Sequence, residues 1–254
     1  MAKLAELAPQ DLALAARRKA RRLERAAHRT LLRYPHRVRC PVCGWSGVRL
    51  APSAKPRRPN RMCPACKSSE RYRALELVLR RLGPVDSEAR LLEVAPVHTV
   101  QRTAENLGYT YSSIDLRSPR AQVHADLCDL PFADASFDIV VCFHVLEHIP
   151  ADRRAVQELA RVVGTEGQAI VVVPRDVRRA TTFEDPDADP ADYERLYGQS
   201  DHVRWYGADV ADRWRETGVD VVEQCWSQQF TPDIYRHAAL FGDDDRFWIV
   251  RAPS

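Results

Sequence analysis

The chain has no run of about 18 apolar residues, the length a helix needs to cross a bilayer, so no membrane-spanning segment is expected in its 254 residues. Residues 1–30 contain no apolar stretch of the signal-peptide kind. Although Arg-rich, they include Glu6, Asp11 and Glu24, acids that a transit peptide avoids. These absences predict a cytoplasmic protein. Glycine is missing from the turn Glu93-Val-Ala-Pro-Val-His98. Backbone that lacks glycine cannot approach a pyrophosphate closely, and Pro96 has no N–H to offer, which argues against NAD or FAD. No internal repeat is present. Acidic residues are scarce at the front: residues 1–73 carry 19 Lys and Arg against four Asp and Glu, and the remainder carries 19 against 31, for a net charge of +3. Such a front binds nucleic acid or another acidic surface, or it docks on the acidic remainder of its own chain; solvation or internal matching is the expectation.

What is present suits a globular chain, with 45% hydrophobic and 29% charged residues. The length holds one α/β domain of about 100–200 residues and an appendage. Residues 1–36, rich in Ala, Leu and Arg, predict a basic helical segment broken at Pro35. Residues 37–69 form a loop-rich module. A helix is predicted over 70–82, capped by Ser68 or Ser69 and ended by Gly83-Pro84. From there strands at 90–95, 111–115, 122–124, 137–143 and 168–173 alternate with helices near 98–107 and 152–163, the pattern of a doubly wound α/β sheet. A polar insert at 175–204 precedes a helix at 208–217. Strands at 219–225 and 246–251 are expected to close the sheet as an antiparallel hairpin.

Cys40-Pro-Val-Cys43 and Cys63-Pro-Ala-Cys66 are two C-x2-C pairs separated by 19 residues, a four-thiolate zinc spacing, with Gly44 placed to help the first turn. The other three cysteines, Cys128, Cys142 and Cys225, stand singly, so a disulfide framework fits poorly. Four protein ligands leave no position for a reacting water. The zinc is therefore expected to be structural.

The stretch from Asp126 to His148 carries the chemistry. Ser136 and Phe137 lead into the apolar run Asp138-Ile-Val-Val-Cys-Phe143, a strand buried on both faces, and polar residues follow where it ends. Ligands of open α/β sheets sit at that edge. Asp126 could accept from an adenine amine while the Leu127 N–H meets a ring nitrogen; the alternative is that Asp126 is only a turn residue. Residues 90–174 resemble class I S-adenosylmethionine-dependent methyltransferases, on a D-x-x-x-L-P-F-x-D-x-S-F-D segment followed by L-E-H. The whole chain further resembles bacterial members that begin with a zinc ribbon running into an E-R-x-R helix, here Glu70-Arg-Tyr-Arg73, and continue with segments like Glu184-Asp-Pro and Asp201-His-Val-Arg204.

The resemblance implies a Rossmann-like seven-stranded sheet over 70–254, with S-adenosylmethionine as cofactor. It assigns Glu93 to the methionine ammonium, directly or through water, and Asp115 with Leu116 to the ribose and its surroundings. Ala95, in place of the usual glycine, and His144 complete the donor site with Asp126 and Leu127. The methionine carboxylate needs a further partner, for which Arg71 or Arg73 is the hypothesis. On the acceptor side His148 is the foremost candidate base, beside His144 and Glu147; His202 and Arg204 follow. The insert is expected to cover the acceptor pocket; Trp205 and Tyr206 are candidate pocket walls, with core packing of the aromatics the favoured alternative. His144-Val-Leu-Glu147-His148 also matches the H-x-x-E-H zinc-peptidase pattern, which here follows a buried strand and not a metal-binding helix. A magnesium or zinc ion on Glu147 and His148 is a less remote alternative. The leading expectation is methyl transfer to an O or N atom of a small metabolite or sugar-type acceptor. RNA methylation through the basic front is the runner-up, and a non-catalytic binding protein the third reading.

Overall fold

The computed structural model describes residues 38–53, 58–83, 89–240 and 245–253. The helical segment expected over 1–36 lies outside them. The cysteine module opens with a two-stranded antiparallel hairpin, β1 (Val38–Arg39) and β2 (Ser46–Gly47). Helix α1 (Glu70–Leu82) follows, with the predicted bounds. Ser69 occupies its N-cap position with extended backbone but makes no side-chain capping bond. Ser68 does not cap either; it is buried, and its hydroxyl lies 3.3 Å from Cys40 Sγ and 3.2 Å from Cys66 Sγ.

The main sheet begins with β3 (Arg90–Val94), α2 (His98–Leu107), β4 (Thr110–Asp115) and β5 (Val123–His124). It continues through β6 (Ile139–Phe143), a 3-10 turn at Leu146–His148, α3 (Asp152–Val163) and β7 (Gln168–Val172). The insert contains a 3-10 turn (Pro190–Asp192) and the short α4 (Tyr193–Tyr197). Then come α5 (Val210–Arg215), β8 (Asp220–Cys225), α6 (Trp226–Gln229), α7 (Pro232–His237) and β9 (Arg246–Arg251).

The seven strands lie in the order β5-β4-β3-β6-β7-β9-β8. Pairing is parallel from β5 to β7, and β9 is antiparallel to both β7 and β8. The last two strands pair over six residues as expected. They are not a tight hairpin, because α6 and α7 intervene and β9 lies inside the sheet with β8 at its edge.

Period-two geometry explains the continuous apolar strands. In β6, Val140 and Cys142 enter one core with Leu92, Val156, Leu159, Trp214 and Trp248, whereas Ile139, Val141 and Phe143 enter the other with Leu75, Leu79, Val100 and Ala104. Helices thus cover both faces, and the carboxyl ends of β3, β4 and β6 lie side by side at one edge.

Candidate functional site

At that edge β3 delivers Glu93, which is only 2% exposed. Its Oε2 accepts from the Tyr111 hydroxyl at 2.6 Å and its Oε1 from the Val97 N–H at 3.0 Å. Burial pushes its pKa up to about 7, against the lowering effect of those two bonds. The strand stops one residue earlier than expected because Ala95 turns out of it with φ of +57°, the left-handed conformation that glycine normally supplies. The Ala95 N–H still reaches the Ile114 carbonyl, at 2.9 Å. A glycine-shaped turn therefore exists here without glycine, tied down by Glu93 through Val97.

On the adjoining strand Asp115 Oδ1 accepts from the N–H groups of Arg117 (2.8 Å) and Ser118 (2.7 Å), which fixes the carboxylate at the strand end. Leu116 beside it is 59% exposed. The Ala125 N–H reaches the Asp115 carbonyl at 3.3 Å, so Asp126 follows directly on the rim next to Asp115. Asp126 is exposed and accepts from the Cys128 N–H at 2.8 Å; it is a turn residue as well as a rim carboxylate. Leu127 behind it is buried.

After β6, His144 also has positive φ, +57°, and its Nδ1 lies 3.3 Å from Glu147 Oε1. Glu147 is buried. His148 Nδ1 is bonded to the Asp201 carbonyl at 3.0 Å and lies 3.4 Å from its carboxylate. His202 packs edge-to-face on His148, with ring centroids 4.7 Å apart, and burial lowers its pKa. The structure thus brings His144, Glu147, His148 and His202 together, although His202 is 54 residues from His148 in sequence.

The two arginine hypotheses separate. Arg73 is fully buried and donates to the carbonyls of Ser68, Arg61, Ala238 and Ala239; it is a structural tie and is unavailable to a donor carboxylate. Arg71 lies over the Tyr72 ring, and Tyr72 stacks on Phe143 at the end of β6, which leaves Arg71 near the rim. Arg204 also changes role. It is buried and donates to the carbonyls of Leu146, Ile149 and Pro150 and to Glu184, clamping the insert to the turn after β6. Tyr206 is no pocket wall: it is fully buried and bonds Asp152 at 2.8 Å. Asp152, Glu184 and Arg213 complete this network, which has no short-range sequence signal.

In the cysteine module the two knuckles are alike. The Gly44 N–H bonds the Cys40 carbonyl and the Lys67 N–H bonds the Cys63 carbonyl, both at 2.9 Å, and Gly44 and Lys67 both have positive φ. The four sulfurs lie within 4.8 Å of one another, with pairs at 3.6 and 3.7 Å. Tetrahedral Zn–S bonds of about 2.3 Å place sulfurs about 3.8 Å apart. The cluster fits a small zinc-binding module. Hydrogen bonding among the sulfurs holds the Cys40 and Cys66 thiols below their ordinary pKa and pushes Cys43 and Cys63 above theirs.

Two clefts lie elsewhere, one of about 710 Å³ at the amino ends of β3, β6 and β7 and one of about 470 Å³ along β8 and β9, and neither contains any of these groups.

The strand order, parallel through five strands with helices on both faces, is that of a Rossmann-like doubly wound sheet. Residues 74–171 match the family described as "Methyltransferase domain". A probable S-adenosylmethionine-dependent methyltransferase of Mycolicibacterium smegmatis is 30% identical over 139 residues, covering 50% of this chain and 54% of that protein. One from Mycobacterium tuberculosis is 44% identical over 62 residues, covering 24% and 23%. The chain thus matches about half or less of these relatives' length. Among solved structures, YcgJ of Bacillus subtilis aligns with a TM-score of 0.45 at 17% identity, over 71% of this chain and 99% of that one.

Proposed function

We propose that the protein transfers the methyl group of S-adenosylmethionine to an oxygen or nitrogen atom of a small-molecule acceptor, with a structural zinc ion on Cys40, Cys43, Cys63 and Cys66. The observation that supports it best is the convergence of Glu93, Asp115 and Asp126 at the carboxyl edge of adjacent strands. In this reading Asp115 takes the ribose hydroxyls, with Leu116 against the nucleoside. Asp126 and the Leu127 backbone take the adenine edge. Glu93 carries the ammonium's counter-charge, and Arg71 answers the methionine carboxylate. Ala95 and His144, both with left-handed backbone, allow the two loops to curve around the donor.

Transfer is an in-line displacement on a carbon already activated by sulfonium, so alignment and exclusion of water supply most of what the protein must add. The insert, held over the turn after β6 by Arg204, supplies the exclusion. His148 and His202 are the groups placed to engage the acceptor. Calorimetric titration with S-adenosylhomocysteine tests the donor half: the wild type binds, and Asp115→Ala loses at least about tenfold in affinity, the loss of a charged hydrogen-bonding partner. Equal affinity in the two proteins would refute the assignment of Asp115.

A further inference from the structure

The groups that the donor reading leaves over are themselves a site. One ligand atom from each of Glu147, His148 and His202 lies within 4.8 Å of the others. Two of these side chains are almost wholly buried, Glu147 at 1% and His202 at 2% exposure. Glu147 Oε2 and His202 Nδ1 are inaccessible and have no hydrogen-bond partner. An unpartnered buried polar atom costs about 1–3 kcal/mol, and more when charged, so two in one cluster call for an absent partner.

The surrounding bonds say what kind of partner. His148 Nδ1 is held by the Asp201 carbonyl and carboxylate. His202 Nδ1 is buried without a partner. An imidazole that gives one N–H to a carbonyl presents a lone pair at its other nitrogen, the arrangement found around metal-bound histidines. The Val203 N–H bonds the Glu147 carbonyl at 2.9 Å, which fixes the insert's histidine against the turn carrying the other two groups. A carboxylate with two imidazole lone pairs is a donor set for a divalent cation. Nitrogen ligands favour zinc and its transition-metal neighbours over magnesium or calcium. Unlike the four-thiolate cluster, three protein ligands leave coordination positions open.

We infer that Glu147, His148 and His202 bind a divalent transition-metal ion beside the methyl donor, and that this ion takes up the acceptor through a hydroxyl oxygen. The inference rests on the donor assignment above and narrows the acceptor to oxygen nucleophiles. Glu147 and His148 follow β6, whose neighbour β3 carries Glu93, so ion and donor share one sheet edge. A hydroxyl bound to the cation becomes more acidic and loses its proton to solvent. Its oxygen lone pair then forms the O–CH3 bond while the C–S bond breaks. That bond's electron pair returns to sulfur, which passes from sulfonium to thioether.

The test uses the full chain with its thiolate site filled by zinc and adds cobalt(II), followed by visible absorption and calorimetry. One equivalent of cobalt is expected to bind with the weak ligand-field bands of nitrogen and oxygen ligation and no thiolate charge-transfer band. Glu147→Gln and His202→Gln are each expected to weaken it by more than about tenfold. His148→Gln, at a part-exposed position, is expected to do the same and guards against misfolding of the buried variants. S-adenosylhomocysteine titration of the same samples reports the donor site separately. Wild-type cobalt binding without donor binding would sink the donor reading and leave the metal site standing. Absence of cobalt binding, or equal affinity in all three variants, overturns the inference.

Discussion

Glu93 and Ala95 show how single residues replace the missing glycine turn. Glu93 ties the loop down through Val97, yet its burial holds its pKa near 7, well above the ordinary 4.5. Between those values the unfolded carboxyl is ionised while the folded one keeps its proton, so this group's contribution to stability falls as pH rises through that window. An ammonium ligand favours the ionised form. Affinity for S-adenosylhomocysteine should therefore climb as pH rises toward about 7 and level off above it. Calorimetry across pH checks this, and Glu93→Gln should flatten the profile. Ala95 sits at φ of +57°. Left-handed backbone costs a non-glycine residue about 1–2 kcal/mol, and glycine's greater chain entropy returns about 0.5–1. Ala95→Gly should consequently leave the melting temperature unchanged or raise it by up to about 4 °C in a thermal scan.

Among the elements, the insert owes its placement to contacts that are distant in sequence. Its length and polarity suggest a cover, but its anchoring comes from a buried ionic network. Asp152 is 1% exposed and bonds Arg213 at 2.7 and 2.9 Å and Tyr206 at 2.8 Å. Burial alone would raise the Asp152 pKa; the Arg213 hydrogen bonds and the Arg204 charge reverse this and hold it low. Its stabilising effect is present above the ordinary carboxyl range and disappears as pH falls through the lowered value. Close backbone contact adds to the anchoring, since a Cβ on Gly207 would meet the Thr181 carbonyl carbon at 2.4 Å. Arg213→Ala leaves the buried Asp152 carboxylate with the Tyr206 hydroxyl and the Arg204 charge alone and should cost about 3 kcal/mol, measurable by denaturant unfolding. The regular elements were legible: α1, α2, α3 and β9 fall where period and punctuation place them, because local propensity and burial agree there. The network was not, since Asp152, Glu184, Arg204 and Arg213 look like ordinary surface charges until folding brings them together. Arg73 is similar. The donor's methionine carboxylate makes it a candidate partner in the sequence, whereas its bonds to Ala238 and Ala239 span more than 160 residues.

At the scale of the molecule, those bonds join the cysteine module to the sheet domain, and Ala239 packs into the module's own small core. With zinc removed by a chelator, that module should lose amide-exchange protection around Cys40–Cys66 while β3, β6 and β7 keep theirs, because the sheet's two cores are built from other residues. Mass-spectrometric hydrogen exchange reads both at once. The groups proposed for donor and acceptor come to one edge through the parallel order β4-β3-β6, which no local run of sequence contains. The most direct measurement is a crystal structure with S-adenosylhomocysteine bound. The ribose hydroxyls should lie within hydrogen-bonding distance of Asp115, with the adenine toward Asp126. A ligand seated elsewhere, or a rim left empty at saturating ligand, would contradict the account.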